Sequence, residues 1–340
     1  MIDLRSDSVS LPTSEMRNSA RDAAVGHPSY GGDPTITKLE TQAADLLGHE
    51  AAMYLPSGTM ANQIAARTHA ERGQEVILEE TSHMYTRESG GLAQLSGLQT
   101  RPVDGGPRGV ITPAMIHEHV VESTGYHRGT GLVCLENTHN LKGGTAIGAD
   151  NLQAAIEAAH EYGLSVHLDG ARLAQAAVAH DCDLATLAAN LDSVYIDIAK
   201  LGAPGGAILA GTQDFIEACH HHRKLFGGYV KQGGMLAAPG LVALANLDER
   251  AADAQRATEL ANGLSAEDTL DVLPPETNLV FVDVSGTGKT ASSFLESCAT
   301  NEVLGAAFGR YRVRFVPHAG IVPGDIQRAV DGIIAACSAD

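Results

Sequence analysis

From about residue 37 to 245, short apolar runs alternate with stretches of helical period. "AAMYL" leads into a helix from Thr59, on which Met60, Ile64 and Arg67 fall three to four apart. "EVILEE" precedes His83, "GLVCLEN" precedes a helix near Asn151 to Glu161, and "SVHLDG" leads into "ARLAQAAVAH". "SVYIDIAK" ends on Lys200, and a Gly-rich turn separates it from "GGAILAG". Strands alternating with helices predict βαβ units and a mostly parallel sheet, an α/β fold. The last ninety or so residues differ. A helix from Ala243 to Leu264 precedes "TNLVFVDV", a further helix, "YRVRFVPH" and a final helix, the pattern of a small α+β unit with an antiparallel sheet. The expected boundary lies near Leu247, giving a large domain over 1–247 and a small C-terminal domain over 248–340.

Composition narrows the class. A chain of 340 residues supports roughly two domains with sizeable cores. It has no uncharged apolar run long enough to span a bilayer and no charged-then-apolar leader at Met1, so a cytoplasmic, non-secreted protein is expected. The five cysteines are odd in number and form no CxxC, which favours reduced thiols. A net charge of −18 argues against nucleic acid or an anionic membrane as partner, without excluding a small anion held by local donors. Thirty-seven glycines and no tryptophan fit a core of small side chains with helices close against the sheet.

Three constellations carry chemistry. In "YLPSGTMANQIAA", Ser57, Gly58 and Thr59 open a helix, where hydroxyls and free N–H groups form an anion site. An ordinary N-cap explains the same residues. In "LSVHLDGARL" the alternation of Leu164, Val166 and Leu168 puts Asp169 at the carboxyl end of a strand, the edge where open α/β sheets bind ligands, with Arg172 three residues on. A solvated Asp-Gly turn is the plain alternative. Lys200 at another strand end becomes nucleophilic if desolvated, or snorkels to water if not. Taken in order, the three supply what pyridoxal phosphate needs: a phosphate cradle, a carboxylate for the ring nitrogen and a lysine for covalent attachment.

"MIDLRSDSVSLPT", "YGGDPTITKLE", "EAAMYLPSGTMANQIA", "SHMYTRESGG", "LVCLENTHN", "HLDGARLAQA", "AKLGAP", "GGYVKQGGMLAAPGLVAL" and "VRFVPH" follow one another as in the low-specificity L-threonine aldolases, which this chain resembles from Met1 to about His318. The resemblance implies a pyridoxal-phosphate-dependent, transferase-like fold of the aspartate-aminotransferase type, within the β-eliminating lyases. It implies cleavage of L-threonine, L-allo-threonine or related β-hydroxy-α-amino acids to glycine and an aldehyde. β-Elimination, racemisation or cleavage of a larger hydroxy amino acid are the alternatives within the same superfamily. By the same resemblance, Lys200 attaches the cofactor, Asp169 pairs with its ring nitrogen, and Ser57, Gly58 and Thr59 bind its phosphate. His83 stacks on the ring, with or without acting as the base. Ser6, Arg172 and Arg314 grip the substrate carboxylate, and Arg172 also belongs to the cofactor set. Tyr30, Glu88 and Lys224 match further family positions. A homotetramer, a dimer of dimers with active sites shared across subunits, is implied, and no metal is expected.

The chain departs from the family at informative points. Ala199-Lys200-Leu201-Gly202-Ala203-Pro204 replaces Ser-Lys-Gly-Leu-Gly-Ala-Pro, so the turn after the lysine is one residue tighter. Val230-Lys231-Gln232 stands where the family has Gly-Met-Arg-Gln, and His27-Pro28-Ser29 replaces acidic residues. A second family histidine falls at Tyr126 or His127. "VDVSGTGKTAS" imitates a nucleotide-binding loop but has Asp283 where glycine is required. Cys219, His220, His221 and His222 are consecutive on a helix and point to different faces, so they do not converge on a metal. His167 is expected to pack beside the site.

Overall fold

The computed structural model describes residues 1–322 and 324–338. Its first strand is β1 (Ile2–Asp3), and seven more follow: β2 (Ala51–Leu55), β3 (Glu75–Glu79), β4 (Gln99–Val103), β5 (Thr130–Glu136), β6 (Ser165–Asp169), β7 (Ser193–Asp197) and β8 (Ala207–Gly211). Strands β2 to β8 form one sheet in the order β2-β8-β7-β6-β5-β3-β4, in which only β8 runs against its neighbours. The mostly parallel sheet is as expected.

Alternation of side chains decides how this sheet is covered. Tyr54, Val194, Ile196 and Ile208 join the core on one face, with Leu39 and Leu47 of the helix Pro34–Leu47. Met53, Leu55, Tyr195 and Leu209 point to the other face and pack on Ile64, Phe215 and Ile216. Those last three belong to the helices Gly58–His69 and Gln213–Leu225. Both faces are therefore apolar, which is why the strands read as nearly continuous hydrophobic runs. Parallel pairing sets the carboxyl ends of β5, β6 and β7 side by side, so Glu136, Asp169 and Asp197 share one edge.

A second sheet, of β9 (Asp271–Leu273), β10 (Val280–Asp283), β12 (Ala306–Ala307) and β13 (Arg312–Phe315), is antiparallel, and β11 (Val303–Leu304) lies parallel to β1. Its hydrophobic core takes in Ile2 and Leu4, so the first residues of the chain pack with the C-terminal ones. The long helix expected from Ala243 to Leu264 is instead two, Gly234–Ala245 and Glu249–Leu264. Asn246 ends the first: its side-chain amide donates to the Val242 carbonyl at 2.7 Å. Leu247 still packs on the large core, whereas Leu260 and Leu264 belong to the small one, so the break lets the chain pass from one core to the other. Among the described residues no helix is long and apolar enough to cross a membrane.

Candidate active site

The Asp169 carboxylate is fixed from two directions. One oxygen accepts the Ala171 N–H at 3.1 Å, and the other accepts the Asn62 side-chain amide at 2.8 Å. Asn62 lies one turn inside the helix Gly58–His69, and its amide also donates to Glu88 at 2.7 Å. Its two hydrogens are thus spent on two buried carboxylates, and its oxygen is left to accept from His167 Nε2 at 3.0 Å. His167 Nδ1 is then an acceptor for Ser193 Oγ at 2.8 Å, and Ser193 accepts from His69 Nε2 at 2.7 Å. Burial drives His167 down to about 3, with the neighbouring His69 adding to it, and burial drives His69 down to about 4, so both rings are neutral. His167 packs beside the site as expected, in a fixed tautomer.

Lys200 is not at a strand tip. β7 stops at Asp197, whose side chain accepts the Ala199 N–H at 3.0 Å and caps a 3-10 turn over Ile198–Leu201. Gly202, at φ +97°, closes that turn, where a residue with a Cβ is strained. Lys200 Nζ donates to the other Asp197 oxygen at 2.7 Å. The shortened loop is therefore accommodated by one tight turn that holds the amine at the cavity wall.

Lys200, Asp169, His83, Ser6, Arg172 and Arg314 all line one cavity of about 330 Å³. Arg172 reaches it from behind: its Nε and Nη2 donate to Asp7 at 2.7 and 2.9 Å, which leaves Nη1 for a ligand. Burial would raise the Asp7 carboxyl, but Arg172, with Lys200 and Arg314 near, holds it far below the usual range. Ser6 caps the short turn Asp7–Val9, its hydroxyl accepting the Ser8 N–H. Arg314 sits on β13 and donates to Asn140 Oδ1 at 2.6 Å and to the Arg5 carbonyl at 3.0 Å. Its Nε is buried without a partner among the described residues. Burial and the charge of Arg172 lower Arg314 to about 9. A buried guanidinium with an unused donor beside a second guanidinium is costly without an anion, which makes the pair a candidate carboxylate site.

Glu136 ties the other wall together. One oxygen accepts the His83 backbone N–H at 2.6 Å, the other that of Asn140 at 2.8 Å. The His83 ring meets Glu88 through Nδ1 at 2.9 Å. Burial disfavours its charge, but Glu88, Asp169 and Glu136 prevail and raise it above the usual imidazole range.

Ser57, Gly58 and Thr59 do not line this cavity; they open the helix that carries Asn62, with Ser57 as N-cap. The helix begins at Gly58, one residue earlier than expected. A Cβ on Gly58 would stand 2.6 Å from the Tyr195 hydroxyl, so only glycine lets the helix start so close to the sheet. Tyr30 is 83 % exposed, rests on His27 and is not brought to the cavity within this chain. Lys224 lies over Tyr229 instead. Neither Tyr126, which is exposed, nor His127, which is 3.7 Å from Glu75, reaches the cavity. Lys289 donates to the Ala336 carbonyl at 2.6 Å, and its loop leads into the N-cap of the helix Ala291–Thr300. Among the described residues, Cys219 and the three histidines after it form no cluster of close ligand atoms.

Sequence reasoning missed Asp7, Asn62, Glu136, Asn140 and Asp197. Asp7, Asn62, Glu136 and Asn140 act on residues far from them in the sequence, whereas Asp197 stands three residues before Lys200, in a strand the sequence shows but whose capping turn it does not.

The model of the β-eliminating lyase family matches residues 3–287. Low-specificity L-threonine aldolase 1 of Arabidopsis thaliana is 36% identical over 334 residues, covering 96% of this chain and 93% of the relative. The low-specificity L-threonine aldolase of Escherichia coli K12 is 39% identical over 286 residues, covering 84% and 85%. Among solved structures, the threonine aldolase of Leishmania major shares the fold with a TM-score of 0.82 at 22% identity, over 98% of each chain.

Proposed function

The chain belongs to the β-eliminating lyase family, among the low-specificity L-threonine aldolases, and from that premise we propose that it cleaves L-threonine, L-allo-threonine or related β-hydroxy-α-amino acids to glycine and an aldehyde. The observation that carries this reading is the convergence of Lys200, Asp169 and the two guanidiniums of Arg172 and Arg314 on one cavity.

Pyridoxal phosphate fits the residues present. Lys200 would attach it, Asp169 would meet its ring nitrogen, and the donors of Gly58 and Thr59 at the helix start would hold its phosphate. When bound, the cofactor supplies the conjugated ring that accepts electrons released at Cα. The remaining work falls to the chain. Arg172 and Arg314, with Ser6, would bind the substrate carboxylate and so orient the bonds at Cα. His83 takes the β-hydroxyl proton as Cα–Cβ breaks. Asn62 keeps Asp169 oriented as an acceptor.

Tyr30 and Lys224 lie outside the cavity of their own chain, which supports active sites completed across a subunit interface in a homotetramer. Sedimentation at micromolar concentration is expected to give four chains. A cytoplasmic location accords with the thiols, all five of which are free.

The decisive experiment joins spectrum to product. Purified protein is expected to absorb visible light, borohydride to fix the cofactor on Lys200, and threonine to yield glycine with acetaldehyde. Lys200→Ala is expected to lose both colour and glycine release. A colourless Lys200→Ala that cleaves threonine at the wild-type rate overturns the reading, and pyruvate with ammonia as products points to elimination instead.

A further inference from the structure

One cation in the cavity has no use in the reaction just described. Arg87 follows the short helix His83–Thr86 and lines the same cavity as Lys200 and Arg314. The other charged side chains there have hydrogen-bond partners, although Arg314 keeps its Nε unused. Lys200 is held by Asp197, Arg172 by Asp7, and Glu136 by two backbone N–H groups. Asp169 is engaged by Asn62 and Ala171. Arg87 makes no ion pair among the described residues. Its guanidinium carbon lies 5.1 Å from the centre of the Phe308 ring, and that of Arg314 lies 4.3 Å from the same ring. Two guanidiniums thus share one aromatic side chain, and the charge of Arg87 contributes to the depression of Arg314.

This arrangement is repulsive until anions enter it. A substrate α-carboxylate accounts for Arg314 and Arg172 and leaves Arg87 unanswered. Phe308 and Ala171 are the apolar residues of the wall, and two cations approach the Phe308 ring. Thr138 adds a buried hydroxyl with no partner among the described residues. An oxyanion beyond Cβ finds cationic donors here.

Resting on the aldolase reading above, we infer that Arg87 selects β-hydroxy-α-amino acids whose side chain carries a second carboxylate, of which 3-hydroxyaspartate is the smallest. The reaction balances without any further reagent. The β-hydroxyl loses its proton, the Cα–Cβ bond breaks with its electron pair staying at Cα, and Cα takes up a proton, giving glycine and glyoxylate. Arg87 holds the carboxylate that leaves with the aldehyde, so it is a specificity residue.

The test compares kcat/KM for L-3-hydroxyaspartate (threo and erythro) with that for L-threonine, in the wild-type holoenzyme and in Arg87→Leu and Arg87→Lys. The expected result is that the wild type favours one hydroxyaspartate over threonine. Arg87→Leu is expected to lower that ratio by about tenfold or more, the size of one charge-assisted hydrogen bond, and Arg87→Lys to restore part of it. Equilibrium binding of L-aspartate, which has the second carboxylate but no leaving hydroxyl, is expected to weaken in Arg87→Leu while that of L-alanine holds. Glycine from threonine but none from hydroxyaspartate overturns the inference and leaves the aldolase reading standing. So does an equal loss for both substrates in Arg87→Leu. No glycine from any of the three substrates overturns both.

Discussion

The carboxylate clamp is built from charges that would be costly to bury singly. Arg172 and Asp7 are both buried, and each holds the other in a bidentate pair. Removing one partner of such a pair strands the other, at a cost of about 3–5 kcal/mol. Asp7→Ala is therefore expected to destabilise the protein by about that amount in urea unfolding, and to raise KM for threonine more than it lowers kcat, because Arg172 loses its aim. Electrostatics around His83 give a second expectation. Its charged form is favoured by Glu88, so the ring becomes a competent base only above a raised pKa. The acid limb of kcat against pH should fall above the ordinary imidazole range, and Glu88→Gln should move it to lower pH. A limb that stays in place would show that His83 stacks without taking the proton.

At the scale of elements, the helix Gly58–His69 unites two functions. Its start offers backbone donors, and one turn later Asn62 holds Asp169. Anything that lifts the helix off the sheet disturbs both. Gly58→Ala drives a methyl into the Tyr195 hydroxyl, and Tyr195 is fully buried, so little can yield. A loss of about 1–3 kcal/mol in thermal or urea unfolding is expected, with weaker cofactor retention on gel filtration. Tyr195→Phe removes the clashing oxygen and should recover part of both. The end of β7 is the other controlling element, since the Asp197 cap turns the chain so that Lys200 enters the cavity.

Across the whole molecule, acid should unfold the protein through its buried imidazoles. His69 and His167 titrate at about 4 and about 3 when folded and near 6.5 when unfolded. Above 6.5 neither state binds the proton, and no stability is at stake. As the pH falls from about 6.5 toward 4 the unfolded chain takes up protons that the fold excludes, costing about 1.4 kcal/mol per unit for each ring. Unfolding free energy measured at pH 7 and pH 5 should differ in that direction, with a smaller difference in His69→Gln. The two cores also act together here. Arg314 belongs to the small sheet and Arg172 to the helix start that follows β6 of the large one, and both close on the same cavity, each near Asp7.

What the sequence settled by itself was whatever a short stretch of chain can encode. Strand alternation, glycine turns and strand-end residues revealed the mostly parallel sheet and brought out Asp169, Lys200 and Arg172, because these depend on neighbours in the chain. Partners across long separations left no local mark. Asn62 meets Asp169 across 107 residues, Asp7 meets Arg172 across 165, and Asn140 meets Arg314 across 174. Only the packing of helix on sheet and of one core on the other brings them within hydrogen-bonding distance. The same packing left Tyr30 in solvent and turned Arg87 into the cavity, since the direction of a side chain at a turn is fixed by what surrounds it rather than by its own sequence.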